Sequence, residues 1–181
     1  MRESVAIVRY DGNSLALLKD CRVAGQYGFI GTTRKEQMIR LEDADEIRVN
    51  MPLSGLALVA NLQGGLARGT VLDVALVWIG QLRTTYRQVE LAQHEGSCQG
   101  ATHFIRGAMV GAFGMRTSGR AEAQSVAKLF SVGVEAGSQS KSDVRVVEGD
   151  LADCGRATPD SDRAPPQCGV PLRLELSAIA T

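Results

Sequence analysis

The sequence predicts an α+β fold built mainly on an antiparallel β-sheet of six to eight strands, with one or two helices and disulfide staples. Three observations carry that expectation. Apolar residues recur with period two, most clearly at Leu172, Leu174, Leu176 and Ala178 between Arg173, Glu175 and Ser177. Glycine is abundant, 20 residues against five prolines, which suits turns, bulges and close strand contacts. Four cysteines are present, and two of them, Cys154 and Cys168, bracket a polar, proline-containing loop.

Taken in order, residues 4–19 read as a β-hairpin. Val5-Ala6-Ile7-Val8 and Leu15-Ala16-Leu17-Leu18 flank Asp11-Gly12-Asn13-Ser14, and Asp-Gly readily adopts the positive φ angles of a tight turn. Gly25, Gly28 and Gly31 bracket Tyr27, Phe29 and Ile30, a loop with a short strand. Residues 34–49 are charged, with Met38, Ile39, Leu41, Ile47 and Val49 between them, a solvated strand or short helix with one buried side. Asn50-Met51-Pro52 is a helix-start signal, and Gly64-Gly65 a stop, so a largely buried helix is expected over 52–63. Val71 to Leu82 is apolar on both alternating faces, as in a central strand, with Gly80 a candidate bulge. Residues 101–115 are strand-like and rich in Gly and Ala. Residues 121–130 suit a second short helix or more strand, and 131–140 and 144–147 further strand.

A chain of 181 residues is the length of one domain, so residues 1–181 are expected to fold as a unit, with 155–167 a protruding polar loop. Lys plus Arg and Asp plus Glu are 20 each, so the basic excess of a nucleic-acid binder is lacking. No apolar run is long enough for a transmembrane helix. Met1-Arg2-Glu3-Ser4 lacks the apolar core of a signal peptide, as in a cytosolic protein or in one whose leader has been removed.

The cysteines favour the second explanation. Four allow three pairings. The segment between Cys154 and Cys168 has no apolar face and needs a tie at its base, which a disulfide would supply; Cys21 would then pair with Cys98. The opposing reading is four buried free thiols.

Catalytic chemistry is thinly represented. His94, Cys98 and His103 form the one local set that could ligate zinc, but Gly96 and Gly100 argue against the helix that would put such residues on one face. Cys98 with His103 is the one nucleophile–base pair on offer, and it requires a free thiol. Gly64-Gly65-Leu66-Ala67-Arg68-Gly69-Thr70 lacks the lysine and the strand-to-helix order of a phosphate loop. Glu42, Asp43, Asp45 and Glu46 form a dense acidic cluster without a calcium-loop pattern, read as a solvated face. No catalytic, cofactor or metal residue is therefore assigned.

Two stretches carry a resemblance. Tyr27-Gly28-Phe29-Ile30-Gly31 followed by Arg34-Lys35-Glu36-Gln37, and Cys98-Gln99-Gly100-Ala101-Thr102-His103-Phe104-Ile105-Arg106 running into Val110-Gly111-Ala112-Phe113, are similar to envelope lipoproteins of myxobacteria, a family without a characterised activity. The resemblance implies export to the periplasm or cell envelope, a removed leader, a lipid-bearing cysteine outside this sequence, and oxidised cysteines. The function expected is a non-enzymatic envelope module for protein binding or assembly, in a homo-oligomer or with a protein partner. The alternatives are an oligomeric β-barrel or pore-forming subunit, and a Cys/His-dependent enzyme or zinc site.

Overall fold

β1 (Ser4–Tyr10) and β2 (Leu15–Ala24) form the hairpin that Asp11-Gly12 announces. Gly12 takes φ +94°, and the Asp11 carboxylate accepts hydrogen bonds from the Ser14 amide at 2.7 Å and the Ser14 hydroxyl at 2.9 Å. The computed structural model describes residues 4–12, 14–41, 70–119, 145–150 and 152–180. Between the pairs Ala6–Arg22 and Val8–Leu17 the register shifts, so residues 18–21 of β2 form a bulge, of which Cys21 and Leu18 still pack with Val5 and Ile7. β5 (Glu95–Gly96) pairs with β2 beside that bulge, and the Cys21–Cys98 disulfide ties the two together.

The rest of the sheet is built on long strands. β3 (Tyr27–Leu41) pairs with β4 (Thr70–Thr84) on both sides of a bulge at residues 32–34. The short strand expected around Tyr27–Ile30 and the element expected from residue 34 are thus one strand, because pairing resumes at Lys35–Trp78. β4 is apolar on both faces, as its sequence implies: Val71, Leu72, Val74, Ala75, Leu76, Val77 and Ile79 are all buried. Asp73 is buried among them, in register with Arg40 on β3 and Arg116 on β6 (His103–Gly119), and Arg116 Nε lies 3.8 Å from Asp73 Oδ2. The opposite charge alongside offsets the desolvation of a carboxylate in a central strand.

β6 is the spine. On one edge it pairs with β4 from Gly107 to Gly119 and with β1 at His103 and Phe104. The opposite edge takes β7 (Arg145–Glu148) at residues 113–116 and β8 (Val170–Ala178) at residues 103–111. β7 and β8 therefore run in one line along β6, a single path interrupted by residues 149–169. The eight-stranded antiparallel sheet has the order β3-β4-β6-β1-β2-β5, with β7 and β8 on β6.

Where β6 passes from β1 to β4 its ladder has a gap, and Tyr27 fills it. The Tyr27 hydroxyl donates to the Ile105 carbonyl at 2.6 Å and accepts from the Ala6 amide at 3.1 Å. One phenol thus satisfies a backbone group on each of the two diverging strands. Burial raises the Tyr27 pKa above the ordinary phenol value, and the Ala6 hydrogen bond, which favours the ionised form, acts against that rise.

Both disulfides expected from the sequence are formed, Cys154–Cys168 and Cys21–Cys98, and no described cysteine is free. The interrupting segment 149–169 folds back on the sheet through the first of these. Cys154 and Cys168 pack with Val77, Ile79 and Ala112, and Phe29, Ala157 and Ala164 join them. Polar contacts lock the base: the Asp150 amide donates to the Gln167 carbonyl at 2.6 Å, and the Gln167 amide donates to the buried Asp153 carboxylate at 3.0 Å. Although residues 155–167 are exposed over much of their length, the chain at Thr158 and Pro159 lies against Gly31 of β3, where no side chain would fit.

Among the described residues helix is limited to two 3-10 turns, Leu91–Gln93 and Asp153–Arg156, so these residues form a β-sheet and not the α+β mixture expected. The helices expected over 52–63 and 121–130, and the alternating stretch 131–140, lie outside the described residues. No helix among the described residues is long and apolar enough to cross a membrane.

Candidate functional site

Among the described residues, those singled out by sequence do not assemble into a reactive centre. Cys98 is bonded to Cys21, so its sulfur is neither a thiolate nucleophile nor a free ligand. His94 follows the first 3-10 turn, and its Nδ1 lies 3.0 Å from the carbonyl oxygens of both Glu90 and Leu91, which assigns the proton to Nδ1. His103 opens β6, its Nδ1 2.9 Å from the Thr102 hydroxyl and its ring edge-on to Tyr10 at 5.4 Å. Among the described residues no group of three His, Cys, Asp or Glu side chains converges as a metal site. Glu42, Asp43, Asp45 and Glu46, and the glycine-rich stretch from Gly64 to Gly69, lie outside the described residues.

A different cluster does come together. Gly28, Arg83, Gly107 and Glu175 form one cross-strand row over β3, β4, β6 and β8. Residues in register share a face. The next row on that face is Ile30, Gln81, Met109 and Arg173. By strand alternation along β6, Gly107 and Met109 point away from the face on which Ala112 meets the disulfide loop. The cluster thus occupies the face of the sheet opposite the loop.

Its geometry follows from one glycine and one bulge. Gly107 stands between Arg83 and Glu175, and a Cβ there would lie 2.9 Å from the Leu82 carbonyl oxygen and 3.4 Å from Glu175 Oε2. With no side chain in the way, Arg83 reaches across β6 to Glu175 at 3.5 Å. The β6–β8 register shifts between Ile105 and Gly107, which leaves Arg106 as the extra residue. That shift brings Arg106 to the same carboxylate oxygen, Glu175 Oε1, at 3.4 Å. The side chains of Arg83, Arg106 and Glu175 remain 36%, 34% and 45% exposed. Arg106 Nε is itself buried without a hydrogen-bond partner among the described residues.

Chemically this is an anion-receptive surface. One carboxylate oxygen serves two guanidinium groups at the long end of ion-pair distance, and exposed Arg173 stands two residues from Glu175 on the same face. Three arginines against one glutamate leave a local excess of two positive charges in a chain whose formal net charge is zero. Exposed Ile30 supplies an apolar element in the neighbouring row. Sequence reasoning missed this set because Arg83, Arg106, Arg173 and Glu175 are scattered along the chain. The nearest signal was the strict alternation of β8, which puts Arg173 and Glu175 together on the polar side of that strand.

Both disulfides fit an oxidising compartment outside the reducing cytosol. No protein-family model matches the chain, and no curated protein sequence matches it.

Proposed function

We propose that this chain is a non-enzymatic module of the cell envelope that works by holding another protein, and that the docking surface is the arginine-bearing face of β3, β4, β6 and β8. The observation that carries the reading is the oversubscribed Glu175: two guanidinium groups converge on one oxygen, and a further carboxylate would complete their ion pairing. The disulfides support a location beyond the cytosol, and the resemblance to envelope lipoproteins supports the envelope in particular. The engagement of Cys98 in one of those disulfides weighs against a thiol enzyme.

The test is direct. A fluorescein-labelled oligoglutamate peptide is titrated with the protein at low salt and followed by anisotropy, with an oligolysine peptide as control. Binding of the acidic peptide alone, weakened at least about fivefold by Arg83→Ala/Arg106→Ala, is the expected result, as charge-complementary recognition requires. Equal binding of both peptides, or an unchanged affinity in the variant, would refute the docking face.

A further inference from the structure

The two disulfides differ in how far their sulfur-bearing residues lie from solvent. Cys154 and Cys168 are both 0% exposed and pack against Val77, Ile79 and Ala112. In the other bond Cys21 is 3% exposed and packs with Val5, Val23 and Phe104, but Cys98 is half-buried at the surface. A disulfide is broken by a thiolate that reaches one of its sulfurs, so access decides which bond exchanges. The segment that carries Cys98 is held between two fixed points. At the first, Val89 is buried and its carbonyl accepts from the Ala180 amide at 2.9 Å. At the second, the Thr102 amide donates to the Val8 carbonyl at 3.1 Å, and the Thr102 hydroxyl accepts from the Tyr10 amide at 2.8 Å. Between them, residues 91–100 are exposed except for His94 and Cys98, which are half-buried.

Residues 91–100 meet β2 through the pairs Cys21–Gly96 and Arg22–Glu95 and through the Ser97 amide, which donates to the Asp20 carbonyl at 2.9 Å. The Arg22–Glu95 ion pair joins side chains 68% and 56% exposed, and ion pairs in water hold little. Gly96 has φ +89°, and a Cβ there would collide with the Asp20 carbonyl oxygen, so the segment seats on β2 by its backbone. Among the described residues, Cys98 is the one hydrophobic residue of 91–100 that packs against the cluster of Val5, Ile7 and Phe104. The disulfide is therefore the main tie of this segment to the sheet. We infer that Cys21–Cys98 is a thiol-exchange site, and that its reduction by a dithiol lifts residues 91–100 off β2 as a flap while the rest of the sheet stays closed. A thiolate of the dithiol attacks Cys98 Sγ, the S–S bond breaks, and Cys21 leaves as a thiolate that takes a proton from water. The second thiol of the reductant then attacks the mixed disulfide and releases Cys98, so two electrons pass to the protein and the dithiol becomes a disulfide. Lifting the flap uncovers the Cys21 thiol and the edge of β2 from Asp20 to Arg22. None of residues 91–100 belongs to the arginine-bearing face.

The experiment reduces the native, unmutated protein. Dithiothreitol is added without denaturant, samples are alkylated at intervals, and peptide mass spectrometry reads each cysteine. Cys21–Cys98 should open at least about tenfold faster than Cys154–Cys168, as access to sulfur requires. With reduced glutathione in place of the dithiol, the mixed disulfide should form on Cys98 and not on Cys21. Hydrogen exchange of the protein reduced at Cys21–Cys98 alone should show protection lost within residues 91–100 and kept along β4 and β6. Oxidised glutathione should restore both the bond and the protection. Equal rates for the two bonds, earlier opening of Cys154–Cys168, or glutathione on Cys21 would overturn the exchange site. Unchanged exchange at residues 91–100 after reduction would overturn the flap, and so would loss of protection across β4 and β6, since the bond would then staple the whole sheet.

Discussion

Replacing Tyr27 with phenylalanine removes one oxygen atom and two hydrogen bonds from the point where the sheet changes partners. The ring is kept, so its packing beside Val5, Ile7 and Phe104 is preserved. What is lost is the acceptor for the Ala6 amide at 3.1 Å and the donor to the Ile105 carbonyl at 2.6 Å. An orphaned buried backbone group costs about 1–3 kcal/mol. Tyr27 is half-buried, so water partly compensates, and the sum is expected near about 2 kcal/mol. In a chain of 181 residues that corresponds to a fall in melting temperature of about 4–8 °C. Urea unfolding followed by far-ultraviolet circular dichroism measures the difference, with an unchanged m-value showing that the native sheet persists. The pH dependence gives a second readout. Burial, the larger influence, raises the folded-state pKa of Tyr27 above that of the unfolded chain. Between those two pKa values the unfolded chain binds fewer protons than the native protein, so stability falls as pH rises through that window. The advantage of wild type over the variant should be constant below about pH 10 and shrink above it. A loss under about 0.5 kcal/mol, or a gap that widens above pH 10, would refute the bridging role of the hydroxyl.

The two disulfides should differ in worth. Cys154 and Cys168 are 14 residues apart and Cys21 and Cys98 are 77 apart, so the chain-entropy model assigns about 3 and about 4.5 kcal/mol to the closed loops. Paired serine substitutions measured by urea unfolding should rank in that order, and the reverse order would show that loop closure is not the main contribution. Gly31→Ala would place a methyl carbon 2.6 Å from the Thr158 carbonyl oxygen and 2.7 Å from that of Pro159, whereas at Gly28 the nearest atom is 3.9 Å away. Gly31→Ala should lower stability by about 1–3 kcal/mol and speed tryptic cleavage at Arg156 and Arg163, while Gly28→Ala should change neither appreciably. Equal behaviour of the two would show that the loop does not rest on β3.

The features legible in the amino-acid order are local ones. Asp11-Gly12 determined the first turn, because glycine adopts the positive φ of Gly12 without strain and the Asp11 carboxylate caps Ser14. The apolar run of β4, interrupted only by Asp73 between Val71 and Ile79, determined a strand covered on both faces, and the alternation of β8 placed Arg173 and Glu175 in water, whereas Ala178, expected on the buried side, is exposed. The polar loop between Cys154 and Cys168 determined that disulfide and, by remainder, the other. Which strands meet is a matter of long-range pairing. Nothing in the run from Arg145 to Ala178 announces that β7 and β8 are one path along β6, since each strand looks complete alone and the break depends on β6 continuing past it. The length of β3 was hidden for a related reason: its charged half pairs with β4 through backbone groups, which leave no mark on side-chain pattern. Tyr27 and the arginine cluster were illegible because their roles depend on register. A phenol becomes a bridge only where two strands diverge, and Arg83, Arg106 and Glu175 become neighbours only because Gly107 and a bulge in the β6–β8 pairing bring them to one oxygen. Periodicity fixes which face a side chain takes, but the partner across the ladder is set by long-range pairing that no local window contains.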